Sequence, residues 1–376
     1  GAWQGLKEKT QRRELPLVRH PRPTMAPRTI RVGSFCTGLD GAWQALEQLG
    51  LDDRCRHAFA CDICPNVREM LKHNFEGLDD KNVIPDVVKA KTADIPRCDL
   101  LSGGFPCQPF SLIGSGKGTD DPRGTVVYKI IKYIREARPK AFFLENVSGL
   151  VTQHKETFDN ILKELRGIKV NGSPYYRVVW TLVNTKDHGV AQSRPRCYIV
   201  GVHEEPRREA FQWPAPVKMR PLERFLEAKK GAKGVLPTSG VKRTNLRILN
   251  KKIKAKGRKI GQDPYVGDVQ SSPSFGPHLA LGYSPCLTRS RCGSGGHWLF
   301  NRNREMTTRE MMRLQGMRAG RFRLPVKRGG SERKLRLMIG NAFSVNIVVR
   351  ILSRLLPAAG LTGSLKDPFG SAGVAA

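Results

Sequence analysis

Hydrophobic and polar positions along this chain follow two alternating periods, a strand period and then a helix period, repeated from about residue 29. TIRVGSF (29–35) reads as a buried strand, and GAWQALEQLG (41–50) carries its apolar residues at helical spacing. HAFAC (57–61) is a second strand, followed by PNVREMLKHNF (65–75), a helix with Pro65 in its first turn. The couple recurs as DLLSG (99–103) with the amphipathic TVVYKIIKYIREA (125–137), and as KAFFLEN (140–146) with KETFDNILKELRG (155–167). YYRVVWTLVN (175–184) and RCYIVGV (196–202) read as a closing strand pair. This alternation predicts an α/β fold, a doubly wound, mostly parallel sheet with helices on both faces.

After Val202 the character changes. Residues 203–283 lose the period and gain Pro, Gly, Lys and Arg; between Lys229 and Lys259 there are twelve Lys or Arg and no Asp or Glu. A separate, poorly patterned basic module is expected there, with a disordered linker as the plainer reading. Regular structure resumes near Leu299, with helices at TTREMMRLQG (307–316) and NIVVRILSRLL (346–356). The expected organisation is a basic flexible tail (1–28), a main domain (29–202), a basic insert (203–300), a return to the main domain (301–357) and a C-terminal tail (358–376). No convincing internal repeat is present.

Composition narrows the partners. Across 376 residues, 65 Lys and Arg face 33 Asp and Glu, a formal charge of +32, which is the footprint of a polyanion-binding surface, nucleic acid first. No apolar stretch is long enough to span a bilayer; an anionic membrane surface is the alternative partner, but no amphipathic helix suits it and none is expected. The N-terminal stretch lacks the apolar core of a secretory signal, and its missing initiator Met reads as a fragment of something longer. The nine cysteines are scattered and odd in number, against a disulfide framework and for a reducing compartment. Cys61-Asp62-Ile63-Cys64 is formally C-x-x-C, but no second pair lies at zinc spacing and no metal is expected.

Candidate chemistry gathers at strand ends. In GGFPCQPFS (103–111), Cys107 follows a short buried strand and a Gly-Gly turn, with Pro106 and Pro109 stiffening the loop. A thiol at the carboxyl end of an α/β strand sits where such sheets bind ligands; the alternative is a buried structural cysteine. Glu145-Asn146 ends the next strand and can face the same pocket, unless Glu145 is a cap or an ordinary salt bridge. Gln192, Arg194 and Arg196 alternate, so an extended segment sends all three to one face, suited to an anion or a carbonyl-rich ring. The turn FCTGLDG (35–41), with Asp62 some twenty positions on, is the layout for a ribose-bearing cofactor, although it is not G-x-G-x-x-G. Asp94 is a further polar candidate in the crevice.

In order and spacing these blocks resemble the DNA cytosine-5 methyltransferase family, from about residue 29 to 357. The blocks are Pro106-Cys107-Gln108, Glu145-Asn146-Val147, Gln192-Ser193-Arg194-Pro195-Arg196, the run Arg309-Glu310-Met311-Met312-Arg313-Leu314-Gln315-Gly316, and Gly340-Asn341 closing on Ile347. Two positions depart: Thr37 stands where the family's first loop has Gly, and Ala342 where it often has Ser. The resemblance implies a Rossmann-like methyltransferase fold with a smaller basic target-recognition domain at 203–300, double-stranded DNA as substrate and S-adenosylmethionine as methyl donor. It implies that Cys107 adds to C6 of a flipped-out cytosine, that Glu145 contacts N3 and the exocyclic amine, that Arg196 holds O2 and that Arg194 positions Cys107 and the base. Phe105, Pro106, Gln108, Ser111, Asn146 and Gln192 are the implied substrate-side residues. Implied cofactor contacts are Phe35, Thr37, Gly38, Leu39, Asp62, Ile63, Asp94, Ile95, Gly104, Asn341 and Ala342.

The nearest rival is a tRNA methyltransferase of the same superfamily, whose subgroup has Pro-Pro-Cys-Gln and a Cys-Phe-Thr signature. Here Phe105 precedes Pro106 and no Cys-Phe-Thr occurs. A catalytically silent DNA-binding module would lack Cys107, Glu145 or Arg196, and a nicotinamide oxidoreductase would have the fingerprint glycines. The expected setting is intracellular, nuclear in a eukaryote and cytoplasmic or nucleoid in a bacterium or virus. Other domains or chromatin proteins outside this stretch are conceivable partners.

Overall fold

The computed structural model describes residues 29–106, 125–203, 209–228, 236–237, 240–272, 276–323 and 331–370. The N-terminal tail and the Cys107, Gln108 and Ser111 positions lie outside the described residues. The first half builds β1 (Ile30–Phe35), α1 (Gly41–Gln48), β2 (Cys55–Cys61), α2 (Pro65–Asn74), β3 (Val83–Ile84), β4 (Leu100–Gly103), α3 (Val126–Ala137) and β5 (Ala141–Val147). Then come α4 (Gly149–Thr152), α5 (Lys155–Arg166), a small hairpin of β6 (Lys169–Val170) and β7 (Ser173–Pro174), and the long strands β8 (Tyr176–Asn184) and β9 (Pro195–His203).

Among the described residues the main sheet has seven strands in the order β3-β2-β1-β4-β5-β9-β8. Strands β1 to β5 run parallel, and β9 runs antiparallel to both β5 and β8. The expected doubly wound, mostly parallel sheet is therefore present, with a Rossmann-like arrangement. β1 has β2 on one side and β4 on the other, so the chain's winding reverses there, and a crevice opens beyond the carboxyl ends of β1 and β4. The central strands are apolar on both faces: every residue of β4 is buried, as are six of the seven in β5. One apolar cluster covers one face with α1, α2 and the last helix, and a second covers the other with α3 and α5. The closing pair β8 and β9 matches the sequence expectation; β3, only two residues long, is too short to show a period.

The basic insert departs from its reading as poorly patterned. It carries α6 (Gly240–Ala255), β10 (Tyr265–Asp268), β11 (Leu279–Leu281), α7 (Arg289–Gly293) and β12 (His297–Leu299), and β13 (Arg304–Glu305) follows just beyond it. β11, β10, β12 and β13 form a four-stranded antiparallel sheet, and Leu246, Leu249 and Ile253 of α6 pack on Tyr265, Val269, Trp298 and Phe300. The remaining helices are α8 (Thr308–Leu314), α9 (Glu332–Asn341) and α10 (Val345–Ala358). Glu310 of α8 is fully buried; it closes a capping box with Thr307 and ion-pairs with Arg304 of β13 at 2.6 Å, which pins the small sheet to the main domain. Gly340 is required by close approach, because a Cβ there would stand 2.5 Å from the Thr288 and Arg289 backbone.

The last described segment folds back onto α10. Arg350 donates to Asp367 Oδ2 at 2.8 Å and lies 2.6 Å from Nδ1 of buried His188. An arginine only donates, so Nδ1 accepts and the imidazole is neutral. Burial, and then Arg350, push His188 down to about 4 from 6.5; burial pushes His297 down to about 4 as well. The unfolded chain therefore binds more protons between those values, and the stability that neutral His188 provides is complete above pH 6.5 and is lost as pH falls toward 4. The carboxyls of Asp62 and Glu145, which burial raises, work in the opposite sense. Comparing urea midpoints of wild type and His188→Gln isolates the histidine: the wild-type advantage at pH 7 is expected to shrink at pH 5. An advantage independent of pH would refute a buried neutral imidazole.

Candidate active site

Five strand ends converge on the crevice. Because β9 runs antiparallel to β5, it begins where β5 ends: Val147 pairs with Arg196, Asn146 with Cys197 and Glu145 with Tyr198. Glu145 and Arg196 are thus diagonal neighbours on one face of the sheet. Arg196 Nε lies 3.2 Å from Glu145 Oε1, an ion pair whose angle does not make a hydrogen bond. Glu145 is 8% exposed. Its buried Oε1 has no hydrogen-bond partner, and neither has the buried Nε of Arg194. One unanswered acceptor and one unanswered donor in the same buried corner suit a planar polar ring. Burial raises the Glu145 carboxyl, opposed by Arg196 and Arg194.

The root of the Cys107 loop is tied to this corner. Asn146 Nδ2 donates to the Phe105 carbonyl at 3.2 Å, while its Oδ1 accepts from the Val147 amide at 2.8 Å. Phe105 is buried and Pro106 half-buried. Gly104 presses against the Phe343 ring, which a Cβ would approach to 2.7 Å. Cys107 follows Pro106 by one peptide bond.

The three alternating residues at 192–196 separate. β9 starts at Pro195, so the strand alternation reaches Arg196 alone. Gln192 is fully buried, and its amide is taken by the Leu314 carbonyl at 2.6 Å, Gln315 Oε1 at 3.1 Å and the Leu287 amide at 3.0 Å. It joins the insert to α8 rather than lining the crevice. Arg194 is 2% exposed, and its guanidinium donates to the carbonyls of Leu287 at 2.8 Å and Ala342 at 2.8 Å. It bridges the insert, the end of α9 and the base of the pocket.

On the cofactor side, the loop after β1 is built by hydrogen bonds from β2. Thr37 Oγ1 lies 3.1 Å from both the Ser34 and Cys61 carbonyls and accepts from the Cys61 amide at 2.9 Å. The hydroxyl thus explains the departure from glycine at this position. Asp40 holds a left-handed φ of 46° at the N-cap of α1, accepting from the Trp43 amide at 3.1 Å and meeting His57 Nε2 at 3.0 Å. Asp62 accepts from the amides of Gly38 at 3.0 Å and Cys64 at 2.9 Å. Each carboxylate oxygen keeps a further lone pair. Next to it Ile63 is 74% exposed, a large apolar side chain with no packing partner to account for it. An acceptor at a strand end beside an exposed apolar lip fits a ribose with a flat base lying over it.

The expected cofactor-side residues differ in exposure. Phe35 is 1% exposed with its ring against Phe59 at 4.9 Å and Tyr133 at 5.2 Å, and Leu39 is fully buried in the opposite cluster. Ile95 and Ala342 are buried, whereas Asp94 and Asn341 are exposed. The residue that sequence reading missed is Cys286, at the end of the insert, whose sulfur touches both arginines. No linear signal marks it.

Comparison with known proteins agrees with this layout. The sequence model of the C-5 cytosine-specific DNA methylase family matches residues 30–356. The chain is 32% identical to the type II methyltransferase M.NgoBI of Neisseria gonorrhoeae over 86% of its length and 92% of that protein. It is 30% identical to M.HaeII of Haemophilus aegyptius over 85% and 90% respectively. In structure it is similar to the Entamoeba histolytica methyltransferase EhMeth (TM-score 0.61, 17% identity, 88% of this chain and 98% of that one). It is also similar to the S. pombe Dnmt2 methyltransferase (TM-score 0.57, 18% identity, 88% and 98%); both likenesses concern the fold. With a family match running from the first strand into the last helix, and curated relatives aligned over nearly their whole lengths, the chain belongs to the C-5 cytosine-specific DNA methylase family.

Proposed function

We propose that this chain methylates C5 of cytosine in double-stranded DNA, with Cys107 as nucleophile and the Glu145–Arg196 corner as the base pocket. The observation that carries the reading is that corner: a buried carboxyl with a raised pKa, 3.2 Å from Arg196, beside the tethered root of the Cys107 loop. C5 of cytosine is too weak a nucleophile to take a methyl group directly. The Cys107 thiolate adds to C6, which places electron density on C5. Glu145, whose carboxyl burial raises, hydrogen-bonds N3 and keeps a proton there so that negative charge does not build in the ring. Arg196 holds the O2 carbonyl, and Arg194 fixes the geometry of the pocket from behind. S-adenosylmethionine, when bound, supplies the electrophilic methyl group; Asp62, Ile63 and the Gly38 loop are the residues that would hold it. A base then takes the C5 proton and the Cys107–C6 bond breaks, returning the thiolate. C5 is shielded in a stacked duplex, so the target nucleotide is flipped out.

The insert is the DNA-recognition module in this reading. Arg247, Lys251 and Lys254 are exposed on one face of α6, opposite buried Leu246, Leu249 and Ile253. Residues at i, i+4 and i+7 line up along a helix, so the three cations form a rail suited to phosphates. Replacing Arg247 and Lys251 together by Gln is expected to weaken binding about equally for all DNA sequences. The slope of log K against log salt should fall by about two; an unchanged slope removes α6 from the interface. The curated relatives M.NgoBI and M.HaeII are bacterial, which supports an intracellular, cytoplasmic setting for this reading.

Transfer of labelled methyl from S-adenosylmethionine to plasmid DNA, followed by bisulfite sequencing, tests the function and reports the context methylated. Label found on RNA but not DNA, or no C5-methylcytosine, would overturn it.

A further inference from the structure

The turn between β1 and α1 is folded against the preference of its own residues. Among the described residues five that are not glycine hold a positive φ, and two of them, Cys36 at 52° and Asp40 at 46°, flank Gly38 at 56° in this one turn. Left-handed backbone is costly for a residue with a Cβ, and it persists where the surroundings over-determine it. Here the first half of the turn is tied to the end of β2, by Thr37 Oγ1 on Cys61 and by the Gly38 amide on Asp62 Oδ2. The second half is held through Asp40. Its Oδ1 accepts from the Trp43 amide at 3.1 Å, and its Oδ2 lies 3.0 Å from Nε2 of His57. A carboxylate only accepts, so Nε2 donates. His57 sits in the middle of β2, with its ring stacked on Trp43 at 3.7 Å and edge-on to Phe75 at 5.6 Å. The side chains of His57 and Asp40 are each 1% exposed, so His57 is too deep to touch a ligand in the crevice. Its Nδ1 is buried with no hydrogen-bond partner. The one polar contact that this buried ring makes is therefore spent on Asp40, and a buried polar group that an apolar ring could replace needs such a reason.

We propose that His57 is a positioning residue of the cofactor site: through its hydrogen bond to Asp40 it fixes the left-handed turns at 36–40 and so sets the affinity for S-adenosylmethionine from behind the turn. The inference rests on the reading above, in which Asp62, Ile63 and the Gly38 loop hold that cofactor. Asp40 is two residues from Gly38. Once Asp40 Oδ2 is released, the turn can relax toward right-handed backbone, the Gly38 amide swings off Asp62, and the carboxylate loses one of the two donors that aim it.

Titration calorimetry of the DNA-free protein with S-adenosylhomocysteine reads the affinity directly. His57→Phe keeps a ring on Trp43 and removes the donor. The expected result is a Kd weakened by roughly tenfold, the scale of one lost hydrogen bond to a charged group, with kcat at saturating donor and affinity for DNA within about twofold of wild type. His57→Gln, whose Nε2 can replace that of the imidazole, is expected to restore most of the affinity. A His57→Phe protein that binds as wild type does, whatever its melting temperature, overturns the proposal and leaves a purely structural histidine. Should His57→Phe fail to fold, Asp40→Gly decides, because glycine accepts the left-handed φ and serves as an N-cap. The same loss is expected there, and wild-type affinity overturns the proposal. The double variant is expected to bind no more weakly than the weaker single one; additive losses would show two independent effects and would also overturn it. Asp62→Ala tests the underlying reading. Wild-type affinity in that variant removes the Gly38 loop from the cofactor site and the inference falls with it, whereas a weakened Asp62→Ala beside an unchanged His57→Phe sinks the inference alone.

Discussion

Cys107→Ser is expected to abolish methyl transfer, by on the order of 10⁴-fold or more, while leaving DNA binding intact. The reaction needs a sulfur that ionises near neutral pH and later leaves; a serine hydroxyl does neither. The side chain itself lies outside the described residues. Its loop leaves β4 at Gly104, which only a residue without a Cβ can occupy against Phe343, and is anchored at Phe105 by Asn146. Arg196 stands at the start of β9 and Arg194 just before it, where their charge would favour a thiolate. The contacts named at Gly104 and Asn146 do not use the residue 107 side chain, so affinity for DNA, measured by filter binding without methyl donor, should stay within a few-fold of wild type. Equal methylation by mutant and wild type would end the covalent mechanism.

Where a segment's own side chains face both a core and a neighbour, the sequence was a reliable guide. β4 and β5 are runs of apolar residues because helices cover both faces, and their periods survive in the sequence. The insert misled for a physical reason. The apolar stripe of α6, Leu246, Leu249 and Ile253, is one residue wide and buries against strands of three or four residues, so the dense Lys and Arg on the other face dominate any count. The spacing of those three residues was nonetheless a helix signal. α9 was missed for a similar reason: it buries Leu335, Met338 and Ile339 among charged residues.

At the site, residues whose role lies on their own strand end were legible, and residues acting across the fold were not. Glu145 and Arg196 meet because β5 and β9 run in opposite directions, a pairing that the sequence reading, which joined 175–184 to 196–202, did not give. Gln192 and Arg194 share a motif with Arg196 yet spend their hydrogen bonds on carbonyls and amides from residues near 287, 314 and 342. Linear alternation could not separate them, because the turn before Pro195 breaks the extended geometry on which alternation depends. Cys286 is further still: ninety residues from Arg196 in sequence and 3.8 Å away in space.

That division of labour sets the outcome at Glu145. Glu145→Gln preserves shape and can still hydrogen-bond N3, but it has no proton to give. Transfer at neutral pH should fall by roughly 10²- to 10³-fold, with little change in stability, because the carboxyl already lacks an aligned partner at Oε1. The pH dependence discriminates further. Burial raises the Glu145 carboxyl, so wild-type activity should decline on the alkaline side as that proton is lost. In Glu145→Gln no such proton exists, and the residual rate should keep rising with pH while the Cys107 thiol ionises. Stopped-time assays with labelled methyl donor across pH 6 to 9.5 would show it. A mutant profile that retains the wild-type alkaline decline would mean that the proton on N3 comes from elsewhere, and that the 3.2 Å contact with Arg196 holds the pocket's shape without taking part in its chemistry.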